Sequence, residues 1–159
     1  MENKSEDIEK VYVSYDIAFA IMEIGFNEPC ITYFRKNCKE LKDVMFSSSE
    51  SKCFHDTLGN FIARRNSNCN KLTISAPTRQ EIITWFEEKW KLEIRSEFSR
   101  DAQLWTSSIY PMDYSGLPSS SCLWETYYRD GIKSKHKALD IAILFAIEYI
   151  KMLLSIQNK

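Results

Sequence analysis

Glycine and proline are scarce in this 159-residue chain, at four each, against average usage of about 7% and 5%. The glycines stand alone at Gly25, Gly59, Gly116 and Gly131, which excludes a glycine-rich phosphate loop and a dinucleotide fingerprint. Five cysteines (Cys30, Cys38, Cys53, Cys69 and Cys122) give an odd count at long spacings, with no Cys-x-x-Cys pair. A disulfide framework is thereby disfavoured and reduced thiols are expected. Cys53 and His55 offer two zinc ligands, but Cys38 and Cys69 are distant extras rather than a four-ligand signature. No metal and no cofactor is expected.

Long apolar runs are also missing. The longest late run, Ile141 to Ile147, is far short of the roughly 20 residues that a bilayer helix needs. The N-terminus, Met1-Glu2-Asn3-Lys4-Ser5-Glu6, lacks the basic-then-apolar order of a secretion signal. The expectation is a soluble cytoplasmic protein without membrane contact.

Charge of one sign is absent overall: 21 Lys and Arg against 22 Asp and Glu give a net −1, so no global field favours nucleic acid or anionic lipid. What the chain does have is aromatic residues, at 13%, and ordinary globular proportions of apolar and charged side chains. The length suits about one domain.

Helix punctuation is legible. Ser14 before Asp16, with Ile17, Ala18, Ile21 and Ile24 at helical spacing and Gly25 beyond, predicts a capped helix. Val11-Tyr12-Val13 reads as a short extended lead-in, and Ile31–Phe34 as a short extended piece. Residues 35–71 show no clear period and contain two polar loops, around Ser47–Lys52 and Asn66–Asn70. Thr78 and Glu81 form a capping-box pattern ahead of Ile82, Ile83, Trp85, Phe86 and Trp90, which trace one broad helical face. Leu92, Ile94 and Phe98 then alternate with charged residues at strand period. Two more β-like stretches follow, Leu104–Tyr110 and Cys122–Arg129. A last helix is expected from about Ser134 to Leu154; between Ala138 and Leu154 only Asp140, Glu148 and Lys151 carry charge, so it is either a central core helix or partly covered by another subunit. The fold class expected is α+β: a small antiparallel three-stranded sheet with helices packed on one face, in the order helix, irregular region, helix, three strands, helix. The chain is expected to form a single domain, 1–159, with a poorly defined insertion at about 35–71.

Catalytic signatures are not found. No local motif singles out a Cys–His pair, and Glu87 and Glu88 are helix neighbours that point apart; an enzyme is not expected. The candidate binding residues are Arg129, Lys133, Lys135 and Lys137, gathered before and within the start of the last helix. Positive side chains beside free helix N–H groups suit a phosphate-bearing partner, although they oppose the helix dipole. The competing reading of this stretch is a solvated, mobile loop in which Asp140 offsets part of the charge. Trp105, Tyr110, Trp124, Tyr127 and Tyr128 fall together on one small sheet, and with Lys91, Arg95 and Arg129 they suggest a platform that stacks a base. The competing reading of these rings is core packing.

Residues 78–154 resemble double-stranded-RNA-binding domains in their order of helix, three strands and helix, with lysines at the start of the last helix, comparable to Lys133, Lys135 and Lys137. The loop between the first two strands departs from that family. Three further segments, Val13–Cys30, Ser75–Lys89 and Lys137 onward, resemble small proteins carried by phages and mobile elements of the Bacteroides group. In those relatives a serine-capped helix ends in Gly-Phe near a cysteine, a Pro-capped helix with Trp feeds a strand, and an alanine-rich helix closes the chain. The long 35–71 stretch and Trp85-Phe86 depart from that pattern. This second resemblance implies a non-enzymatic accessory protein of the host cytosol. It would bind a host protein or sequester a small nucleotide-like, phosphate-bearing signal, in counter-defence or host takeover. Two alternatives stand beside it: a nucleic-acid-binding module, and a structural or assembly protein that forms homo-oligomers through its apolar last helix.

Overall fold

The computed structural model describes residues 11–35, 40–43, 52–55, 61–64, 73–113, 116–126 and 131–157, with the three short stretches between 40 and 64 described as backbone. Contacts gather the chain into two compact units, Tyr12–Thr78 and Met1–Val11 with Arg79–Lys159. The architecture is α+β, and the 35–71 stretch falls wholly within the first unit.

In the unit Tyr12–Thr78, helix α1 spans Tyr15–Glu23. Ser14 caps it from an extended conformation, its Oγ accepting the Ile17 N–H at 3.3 Å, and Asp16 complements the positive end of the helix dipole. The helix stops in a Schellman motif. The Gly25 N–H donates to the Met22 carbonyl and the Phe26 N–H to the Ile21 carbonyl, with Gly25 at φ 92°, a conformation that costs any residue with a Cβ. Strand β1, Thr32–Arg35, lies between β2, Glu40–Asp43, and β5, Thr73–Ser75, in an antiparallel sheet. The Thr32 hydroxyl donates to the Ala76 carbonyl at 2.6 Å. Strands β3, Lys52–His55, and β4, Phe61–Arg64, pair antiparallel by themselves. The irregular region expected over residues 35–71 thus contains β2, β3 and β4. Such four-residue strands are defined by their partners and carry too few positions to show a period in the sequence.

In the second unit, α2 spans Arg79–Trp85, starting one residue past Thr78, and runs into a π-helical turn, Phe86–Trp90. The wider turn accompanies a packed aromatic group. Trp85 and Phe86 are both buried, and the Trp85 ring meets those of Phe86 and Trp90 at 5.3 and 6.3 Å. Lys91 closes the turn in the left-handed region, at φ 54°. Strands β6, Leu92–Ser99, β7, Leu104–Pro111, and β8, Trp124–Glu125, form an antiparallel sheet in the order β6-β7-β8. The expected third strand, Cys122–Arg129, is shorter than its residue types suggest: two residues form β8, Thr126 continues its hydrogen bonding to Ser107, and 127–130 lie outside the described residues.

Helix α3, Lys135–Gln157, lies over β6 and β7. Ala138, Ala142 and Ala146, at successive i+4 positions, are wholly buried and bring the helix backbone close to the sheet, where the Ser107 hydroxyl donates to the Ala138 carbonyl at 2.8 Å. Ile143, Ile147 and Ile150 complete the buried face. Arg79 of α2 is joined to Asp140 of α3 by two hydrogen bonds, 2.6 and 2.7 Å, with the guanidinium almost fully buried. No described helix is long and apolar enough to cross a membrane.

Removing one partner of a mostly buried pair leaves an uncompensated charge. Asp140→Ala is therefore expected to lower unfolding stability by about 3 kcal/mol, while Arg79→Met/Asp140→Leu recovers most of the loss; urea titrations of the three proteins measure it. Gly25→Ala, which strains the left-handed cap of α1, should cost about 1 kcal/mol by the same titration.

Candidate nucleic-acid interface

The entrance to α3 is built by the sheet. Gly131, at φ 65°, turns the chain so that Ile132 is buried and its carbonyl accepts the Trp105 N–H at 2.8 Å. Ser134 follows as the helix cap, its carbonyl accepting from Ala138 N–H at 3.0 Å and its Oγ from Lys137 N–H at 3.4 Å. The same hydroxyl lies 2.9 Å from His136 Nδ1. Lys133, Lys135 and Lys137 alternate with these anchored residues and are all exposed. Lys135 Nζ stands 5.7 Å from the centre of the Trp105 ring, a cation–π distance, and Trp105 is half-buried, leaning on Phe98 at 5.2 Å.

Asp140 is not paired with these lysines: both its carboxylate oxygens are engaged by Arg79. Position 140 is one turn and more beyond Lys135, on the side of the helix that meets α2.

The aromatic residues do not share one platform. Strand pairing places residues opposite one another on the same face. Ile94, Phe98, Trp105, Ser107, Ile109 and Trp124 therefore lie on the side covered by α3. Trp124 is half-buried and stacks on Phe145 of α3, centroids 4.8 Å apart and rings 19° from parallel. Tyr110 and Arg95 lie on the opposite side, the guanidinium carbon 5.0 Å from the ring centre. Arg95 is also ion-paired with Glu93 at 2.9 Å, and hydrogen bonding to that carboxylate raises its pKa above the ordinary arginine range. The platform expected from Trp105, Tyr110 and Trp124 is thus split between two faces by the period-2 alternation of β7 and its register with β8. Arg129, Tyr127 and Tyr128 lie outside the described residues.

One feature of the site has no signal in the sequence. A cleft of about 410 Å³ opens beside Lys135 and His136, with Ile83 and Leu139 as apolar walls and Gln80 at its rim. It depends on α2 and α3 lying side by side, which no local pattern encodes. Among the described residues no three His, Cys, Asp or Glu side chains gather as a metal set. Comparison of the chain with protein families, characterised proteins and solved structures finds no match.

The packed and the open side chains should separate by stability. Trp124→Ala, which removes the ring stacked on Phe145, is expected to cost about 2 kcal/mol, whereas Lys137→Gln on the exposed helix surface should stay within about 0.5 kcal/mol of the parent; chemical denaturation reads both.

Proposed function

We propose that this protein is a non-enzymatic accessory binder whose partner is an extended phosphate backbone, that of a nucleic-acid duplex, held at the start of α3. The observation that carries this reading is the arrangement of Lys133, Lys135 and Lys137. All three are exposed, and they are not neutralised by Asp140. Lys135 and Lys137 are two residues apart on a helix, so they project about 200° apart around its axis. They are set to reach separate phosphates along a chain, and poorly set to converge on one. The order helix, three strands, helix, with lysines at the cap of the last helix, supports a shape-reading contact with duplex RNA through phosphates.

A second reading has its own support. The cleft beside Lys135 and His136 is within the size range of small-molecule sites, and it would suit a small nucleotide-like signal with its phosphate at Lys135.

Fluorescence anisotropy with a labelled RNA duplex tests both. Three phosphate contacts predict that a roughly fourfold rise in salt weakens binding about 40-fold. The variant carrying Lys133→Glu, Lys135→Glu and Lys137→Glu should lose binding with its melting temperature no lower than the parent's, since acids suit the first turn of a helix better than cations do. A parent protein that ignores the duplex at low salt, or a variant that binds equally well, overturns the proposal. Displacement of the duplex by stoichiometric nucleotide moves the assignment to the cleft.

A further inference from the structure

Strand β6 is an edge of its sheet among the described strands, and its hydrogen-bonding direction can be read from the neighbouring bonds. The Met112 N–H donates to the Lys91 carbonyl, and 91 and 112 continue the β6–β7 register. In an antiparallel pair the bonded positions alternate, so Lys91, Glu93, Arg95, Glu97 and Ser99 spend their backbone groups on β7. The other side of β7 agrees: Trp105 N–H donates to Ile132, while the Ser107, Ile109 and Pro111 carbonyls accept from Thr126, Leu123 and Ser119. The backbone groups of Leu92, Ile94, Ser96 and Phe98 therefore point outward, along the open edge.

Three further observations lie on this edge. Phe98, an apolar residue on the helix-covered side, is 42% exposed. The Ser96 Oγ is shielded from solvent and has no hydrogen-bond partner among the described residues. On the outer face the strand reads Glu93, Arg95, Glu97, an alternation of sign that is self-complementary when the strand is reversed.

We propose that β6 pairs with the β6 of a second copy of this chain, antiparallel about a two-fold axis through Ser96. In that register Ser96 faces its own copy, and Ile94 faces the partner's Phe98 on both sides of the axis. These are the outward-pointing positions, each pair exchanging two hydrogen bonds. Phe98 is covered by an isoleucine, and the two Ser96 hydroxyls meet at the axis. Between them Arg95 stands opposite the partner's Glu97, twice by symmetry, in the close non-hydrogen-bonded pairs where cross-strand charges matter most. Moving the axis by one residue sets Arg95 against Arg95 or Glu97 against Glu97. Centring it on Ile94 restores opposite charges but leaves Phe98 uncovered. An unguarded edge invites indiscriminate pairing; here the charges select one register and a closed, isologous dimer.

The experiment is light scattering after size exclusion, over a range of concentrations, on the nuclease-treated 159-residue chain. The parent is expected to be a dimer. Arg95→Glu sets two carboxylates against each other in each cross-strand pair, and Glu97→Arg sets two guanidinium groups against each other, so each variant alone should lose the dimer. Mixed in equal amounts, the two variants present a carboxylate against a guanidinium at both pairs and should recover a one-to-one dimer, which a misfolded variant would not do. Leu144→Lys, on the exposed face of α3, should leave the dimer intact. A monomeric parent at every concentration, dimers that survive both single charge changes, a mixture that stays monomeric, or loss of the dimer in Leu144→Lys would each overturn the proposal.

Discussion

The seating of α3 on its sheet is the constraint on which the second unit depends. Three alanines at i+4 spacing let the helix backbone approach β7 closely enough for Ser107 to bond the Ala138 carbonyl. Larger residues at those positions would lift the helix and leave that hydroxyl buried without a partner, which is costly. The same seating brings Phe145 onto Trp124 and holds Ile132 beneath the strand end, where Trp105 binds its carbonyl. The helix start is therefore fixed in position by backbone and core contacts, with Lys135 resting over the Trp105 ring and Lys133 and Lys137 exposed beside it.

That division of labour accounts for an arrangement that looks unfavourable in isolation. Cations in the first turn oppose the helix dipole, and the nearest acid along the helix, Asp140, is committed to Arg79. Ser134 satisfies N–H groups at the cap, and the buried isoleucines supply the stability that the charges withhold. A cationic helix start that Asp140 does not pair with is tolerable in a helix held this firmly along its length.

The parts of this structure legible in the sequence are those set by local chemistry. Ser14 and Gly25 bound α1 because a cap oxygen and a positive φ are demands that few residues meet. Leu92, Ile94 and Phe98 announce β6 through their alternation, and Ser134 announces α3. Elements defined by partners are not legible. The strands β2, β3 and β4 are too short to show a period, and the π-helical turn over Phe86–Trp90 looks like ordinary helix in its residue spacing. For the candidate site, the lysine positions can be read directly, but the faces of the aromatic residues cannot. Trp105, Tyr110 and Trp124 look alike in composition; only the register of β7 with β6 and β8 separates the first and third from the second.

That register links the features of the sheet to one another. Because side chains alternate strictly, the parity that turns Ser107 toward α3 also turns Trp105 and Trp124 toward it and sends Tyr110 and Arg95 to the other side. The alternation of backbone groups is tied to the same count, so the residues of β6 whose side chains meet the helix, Ile94, Ser96 and Phe98, are also those whose amides and carbonyls face the open edge. A slip of one residue between β6 and β7 would bury Arg95 and Glu97 under α3 and expose Ile94. The burial of Leu92, Ile94 and Ile109 opposes that slip strongly. The hydrophobic pattern of two strands thus determines the helix seat, the faces of the aromatic residues and the chemistry of the free edge together, and a substitution that disturbed the pattern would alter all three at once.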